Sequence, residues 1–248
     1  MKFKYLSFGL CVFSLSACSL FNKPAESLEK EEYKEEFLNH KIMEFDEDDL
    51  SSSLRISNGY SNGGMFLSTW TNDNVIFNNG FAELSLVDKN DINYGAEIRT
   101  NQGYLYGYFG TRMKTFKCDG TVQSFFTYNG GTYDHDEIDI EFLGKDTTKV
   151  QFNYYHDGVG GHEYVYDLGF DSSLDFHDYG FLWQESAIYW FVDFKCVYSC
   201  VASLDQWGFL FANVWAGNND KTTSWLKAFN GAPTKLTTYY DYFTYKAL

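Results

Sequence analysis

The chain has 248 residues, the size of one large β sandwich or barrel, and leaves no room for a second catalytic domain. Aromatic residues make up 20% of it against 21% charged, a composition that affords a large core and excludes an intrinsically disordered protein. A formal net charge of -15 argues against a nucleic-acid partner, which needs a basic surface, and leaves a neutral ligand unaffected.

Residues 1–17 begin Met-Lys-Phe-Lys, continue with a short apolar stretch from Tyr5 to Val12 and end in Ser14-Leu15-Ser16-Ala17. A basic start, an apolar stretch too short to span a bilayer and small residues at the end predict a secretory signal and an exported protein. Leu15-Ser16-Ala17-Cys18 also resembles the bacterial lipobox, in which cleavage leaves the cysteine as the lipidated first residue. Cys18 is therefore the expected lipid anchor to a membrane face outside the cytoplasm.

Residues 18–42 form an expected acidic tether ahead of a domain over 43–248. From 19 to 50 the chain holds 11 of the 34 acidic residues and 4 of the 19 basic ones, a pattern of solvated chain with some helix from Glu/Lys pairs four apart. With Cys11 and Cys18 accounted for, Cys118, Cys196 and Cys200 remain, so at least one thiol is unpaired within the chain. Cys196 and Cys200 flank an expected turn and could pair. No Cys/His spacing suggests zinc, and His156, His162 and His177 read as surface or structural imidazoles.

From Gly64 onward short Tyr/Phe/Val/Ile runs alternate with Gly, Asn and Asp turns, which predicts an all-β sandwich. The expected strands are 80–87, 95–99, 105–114, 122–128, 149–155, 179–185, 187–193, 209–215 and 237–245. Within His135-Asp136-Glu137-Ile138-Asp139-Ile140-Glu141-Phe142 the period of two sends Ile138, Ile140 and Phe142 to the core and Glu137, Asp139 and Glu141 to the other face. Three carboxylates on one strand face repel and raise each other's pKa, a cost that a purely structural strand has no reason to bear. A glycosidase does have a reason: it needs one ionised carboxylate as nucleophile and one protonated carboxyl as general acid. Neighbouring runs repeat this one-sided polarity, with Glu97 and Arg99, Gln151, Asn153 and Tyr155, and Asn213 and Trp215 each sharing a face. Rings and amides on one sheet face suit a sugar, whose C–H faces stack while its hydroxyls hydrogen-bond.

The block from Asp136 to Tyr155, continued by Gly158-Val159-Gly160-Gly161-His162-Glu163, resembles the bacterial lichenases, the 1,3-1,4-β-glucanases of glycoside hydrolase family 16. Tyr60-Ser61-Asn62-Gly63-Gly64-Met65-Phe66, Ala96-Glu97, Ser124 to Tyr128 and Trp215 extend the likeness across about 43–248. The resemblance implies a jelly-roll of two curved antiparallel sheets, endo-hydrolysis of mixed-linkage β-glucan with retention, no cofactor for catalysis and a monomer. It implies Glu137 as nucleophile, Glu141 as acid/base and Asp139 as the nucleophile's helper. The implied substrate contacts are Asn62, Phe66, Glu97, Arg99, Phe126, Tyr128, His135, Asn153, Tyr155, Asn213 and Trp215. A structural calcium on the convex side is implied near Gly80 and Asp241. Two departures stand out: His135 replaces the usual Trp, as in xyloglucan-active relatives, and Ser68 and Gly95 occupy the places of the usual disulfide. Laminarin or xyloglucan hydrolysis or transglycosylation, and a non-catalytic carbohydrate-binding module, are the alternative readings.

Overall fold

The computed structural model describes residues 30–46, 50, 52–90, 92–130, 134–232 and 234–248. The expected leader, Cys18 and the first part of the tether lie outside the described residues. In chain order the elements begin with helix α1 (Lys30–Leu38) and the short strands β1 (Lys41–Glu44), β2 (Leu54–Ile56), β3 (Thr69–Trp70) and β4 (Val75–Asn78). The long strands follow: β5 (Phe81–Lys89), β6 (Ile92–Tyr104), β7 (Gly107–Lys114), β8 (Thr121–Tyr128), β9 (Glu137–Leu143) and β10 (Lys149–Tyr155). The remainder is β11 (Tyr164–Asp167), β12 (His177–Gln184), β13 (Ala187–Val192), β14 (Lys195–Val201), β15 (Gly208–Ala216), helix α2 (Asn219–Leu226) and β16 (Leu236–Lys246).

These strands form the two antiparallel layers of a jelly-roll sandwich. One layer runs β11-β10-β9-β8-β15-β6, with β2 added on β6; the other runs β5-β16-β7-β12-β13-β14, with β4 on β5 and β1 on β16. The β5–β6 hairpin, paired from Val87 opposite Tyr94 to Lys89 opposite Ile92, carries the chain from one layer to the other. Strand alternation supplies the core: Ile98, Phe125, Ile138, Ile140, Phe142 and Phe152 from the first layer are fully buried with Leu84, Phe109, Phe181, Trp190 and Phe243 from the second. Each such side chain contributes about 1.5–3 kcal/mol on leaving water. Hydrogen bonds also cross the core to the first layer, among them those from the Trp190 indole to the Asp139 carbonyl at 3.1 Å and from the Tyr240 hydroxyl to the Ser124 carbonyl at 2.8 Å.

The expected strands all form, with ends shifted by a few residues, and the short or half-exposed β1 to β4, β11 and β14 add to them. The tether differs from expectation. Its second half is α1, and Tyr33 and Phe37 on that helix are 1% and 3% exposed rather than solvated. They dock on the outer face of the second layer among Tyr108, Leu182, Phe191 and Phe194. Gly110 and Gly180 make the room: a Cβ on either would come within 2.6 Å of the Phe37 ring.

The cysteine expectation is corrected as well. Cys196 and Cys200 do not flank a turn; both lie on β14 and are not paired with each other. The register jumps from Tyr198 opposite Trp190 to Cys196 opposite Phe191, leaving Val197 as an extra residue. That bulge inverts the alternation, so Cys196 packs on the outer aromatic cluster and Cys200 on the central core. Ser68 does stand beside Gly95, with its Cβ 3.1 Å from where a Gly95 Cβ would be. In place of a disulfide, the buried Ser68 hydroxyl donates to Asn93 and accepts from the Ala216 amide at 2.8 Å.

Candidate active site

The open face of the first layer carries a cleft of about 1040 Å³. Directly opposed residues of antiparallel strands share a face, so the pairing of β9 sorts the site into rows. Tyr155, Glu137 and Tyr128 form one, Asn153, Asp139 and Phe126 the next, and Gln151, Glu141 and Ser124 the third. β15 and β6 continue the rows with Phe211 and Arg99 beside Phe126, and with Asn213 and Glu97 beside Ser124. Asn62, Phe66, His135 and Trp215 complete the set, so every expected catalytic and sugar-contact residue lines this one cleft.

The three carboxylates sit in different environments. Asp139 is 4% exposed, and burial raises its pKa well above the usual carboxylate range, helped by the charges of Glu137 and Glu141 and by a hydrogen bond to Glu137. The hydrogen bond between Asp139 and Glu137 favours a proton on Asp139. Glu141 is pushed up to about 8, chiefly by desolvation, with the Gln151 hydrogen bond opposing the rise and the Glu137 charge adding to it. It is thus protonated at neutral pH. Gln151 donates to Glu141 Oε2 at 2.7 Å and accepts from the Trp225 indole at 3.1 Å. Trp225, carried by α2, fixes the orientation of that amide.

His135 stacks on Tyr155 with centroids 4.9 Å apart, meets Tyr128 edge-on at 5.0 Å and places Nε2 2.5 Å from Glu137 Oε2. An imidazole in the place of the expected Trp therefore keeps a stacking surface and adds a hydrogen bond to the carboxylate. Burial of Tyr155, with the charges of Asp139, Glu137 and Glu141, pushes its phenol up to about 12, so it remains a neutral donor.

A chain of polar groups, buried from Ser57 onward, crosses the rest of the floor. Tyr60 donates to Ser57, Ser57 to Glu97 at 2.6 Å, Asn213 to Glu97 at 3.2 Å and Ser124 to Asn213 at 2.5 Å. Burial raises the Glu97 carboxyl. Apolar walls come from Phe126 stacked on Phe211 at 5.0 Å and from Phe66 tilted on Trp215 at 4.1 Å. Asn62 accepts from the Trp70 indole at 3.0 Å, and Asn153 accepts from the His162 amide at 3.3 Å.

Several functional groups escape a reading of the sequence alone. Asp136 is the clearest. Its buried carboxylate accepts from the amides of Asp205 at 2.9 Å and Gln206 at 3.0 Å, and from the His156 ring at 3.0 Å. It ties two loops to the start of β9. Although Asp136, His156 and Asp157 are spaced to hold a metal, those oxygens already accept protein donors. Trp225 and Phe211 gave no local motif, because a helix and a strand far along the chain bring them to the cleft. His162 stacks on Tyr154 and His177 on Phe170, structural imidazoles as expected.

Gly80 and Asp241 do not belong to the cleft. With Glu44, Asp46 and Asn79 they line a separate acidic pocket, in which Asp241 also accepts from Arg112 at 2.8 Å.

Comparison with known proteins agrees with this geometry. Residues 62–229 match the family model of glycosyl hydrolases family 16. A beta-glucanase of Paenibacillus polymyxa is 46% identical over 201 residues, covering 79% of this chain and 83% of that protein. A xylanase/beta-glucanase of Ruminococcus flavefaciens is 47% identical over 201 residues, and the chain spans 25% of that longer protein. Among solved structures, a beta-1,3-1,4-glucanase (lichenase) from a mouse hindgut metagenome superposes with a TM-score of 0.78 at 43% identity, covering 83% of this chain and 98% of that one. The Bacillus licheniformis beta-glucanase does so at 0.78 and 40% identity, covering 82% and 96%. A two-layer sandwich, a cleft floored by one carboxylate-bearing strand and a family match over most of the domain lead to one conclusion: the chain belongs to glycosyl hydrolases family 16 and is a glycoside hydrolase.

Proposed function

We propose that the protein is an endo-acting hydrolase of mixed-linkage 1,3-1,4-β-glucan that works by retaining double displacement. Glu137 attacks the anomeric carbon as the glycosidic C–O bond breaks, and Glu141 gives its proton to the leaving oxygen. Water then adds to the glycosyl enzyme, returning its proton to Glu141 and freeing Glu137. Asp139 donates to Glu137, and His135, with Nε2 protonated, does the same from the other side. The observation that carries the reading is the inequality of two carboxyl groups on one strand: Glu141 is pushed up to about 8, while Glu137 is hydrogen-bonded to Asp139 and lies 2.5 Å from His135 Nε2. Adjacent environments that separate two carboxyl groups in this way assign acid and nucleophile. The mixed-linkage substrate follows the beta-glucanase and lichenase relatives. A carbohydrate-binding module would gain nothing from clustering three carboxylates.

The same reading includes export, a lipid anchor at Cys18, a monomer and a structural calcium. The pocket of Glu44, Asp46, Asn79, Gly80 and Asp241 offers the hard oxygen donors that calcium takes. A Cβ at Gly80 would sit 3.0 Å from Asp46 Oδ1, so the glycine keeps that space open. The activity test is Glu137→Gln. It should keep its melting temperature within a few degrees and lose roughly 10⁴-fold or more in reducing-end release from lichenan. A folded variant with most of the wild-type turnover would sink the assignment.

A further inference from the structure

The row that starts at Tyr155, Glu137 and Tyr128 does not stop at the edge of the cleft described above. It continues to Phe209 on β15 and ends opposite Gly103 on β6. Phe209 shares the cleft face, and its ring carries the Arg99 guanidinium 4.1 Å from the centroid. Gly103 contributes no side chain to the end of the row. The indole of Trp207 takes that place, overlapping the position a Gly103 Cβ would occupy and meeting Phe209 edge-on at 5.2 Å. Between Phe209 and Phe211 the pairing is irregular, so the β6 stretch from Arg99 to Gly103 opposes only two steps of β15. Such bulges commonly re-aim side chains beside a site.

Trp207 is 52% exposed, and among the described residues its indole N–H has no protein acceptor. The exposed Trp207 and the strand glycine Gly103 each carry a cost. The exposed ring leaves apolar surface in water, and a glycine inside a strand weakens it. Resting on the glucan reading above, we propose that Trp207 is the platform of an additional sugar subsite at the β6 end of the cleft. Its occupant is an uncharged pyranose of the same polysaccharide chain, several units from the bond that is cleaved. Three strand spacings separate β9 from β6, roughly 14 Å, which an oligosaccharide of a few units reaches. The ring face takes the C–H face of the sugar, the free N–H donates to a hydroxyl, and the Phe209–Arg99 pair makes the surface continuous with the cleft.

The test compares barley β-glucan with a mixed-linkage oligosaccharide too short to span from Glu137 to β6, in wild type, Trp207→Ala and Trp207→Phe. In Trp207→Ala the ratio of kcat/KM for the polymer to that for the short substrate should fall roughly three- to tenfold. The fall should come mainly from KM, and Trp207→Phe should recover most of it. A Trp207→Ala ratio equal to wild type, whether both substrates keep their rates or lose them together, overturns the subsite and leaves the activity standing. A wild type that releases no reducing ends from either substrate overturns the activity and the subsite with it.

Discussion

Removing the amide that faces the proposed general acid gives a test with a defined sign. Gln151 donates to Glu141 Oε2 at 2.7 Å, a bond that favours the ionised carboxylate and so opposes the rise caused by burial. Gln151→Leu deletes that donor without adding a charge. A hydrogen bond to a charged group contributes about 1.5–3 kcal/mol, and one pKa unit corresponds to about 1.36 kcal/mol, so the full effect is about one to two units. Water in the open cleft replaces part of the lost donor, which brings the expectation to about one unit. In the proposed mechanism kcat/KM requires Glu141 to be protonated in the first displacement, so its alkaline limb should move from about 8 toward higher pH. Trp225→Phe, which frees the Gln151 amide from its 3.1 Å anchor, should move the limb the same way by less. The assay is initial-rate reducing-end release from lichenan between pH 5 and 11, fitted for kcat/KM at each pH. An alkaline limb that stays in place, or moves down, in Gln151→Leu would refute both the Glu141 role and the account of its pKa.

Glu141 also links pH to stability. Its folded-state pKa lies above the ordinary 4.5, so the folded protein holds that proton more tightly and loses stability as pH rises from about 4.5 to about 8. Glu141→Gln removes this penalty, and its melting temperature should gain on wild type at pH 9 relative to pH 5; an advantage constant with pH contradicts the linkage. Phe37→Ala should undock α1 from the outer sheet. Deleting a buried Phe costs about 3–5 kcal/mol, limited here by the docking energy of a helix too short to stand alone. Calorimetry should show a lower melting temperature and limited proteolysis faster cleavage near residues 30–40, with lichenan kcat/KM within about twofold of wild type because the helix lies on the layer opposite the cleft. A variant as stable as wild type would mean that the aromatic socket contributes nothing.

The carboxylate-bearing strand was legible in the sequence because its information is local. A period of two within 137–142 separates three apolar residues from three carboxylates, and no distant contact is needed to see that they occupy opposite faces. The same locality made the long aromatic strands readable, and with the motif it sufficed for a β sandwich built around a sugar cleft. What depended on tertiary structure involved register or long-range approach. A bulge at Val197 places two cysteines of one strand on opposite faces, and alternation read from the sequence does not reveal it. Tyr33 and Phe37 read as part of a solvated acidic run because the glycines that admit Phe37 lie more than seventy residues away. Asp136 showed as a motif residue, but its work is done on loops around 156 and 205. The unequal environments of Glu137, Asp139 and Glu141 belong to this second class. The sequence supplies three like carboxylates; burial, Gln151 held by Trp225, and His135 beside Glu137 make them different, because pKa is set by the solvent and partners that only the fold brings together.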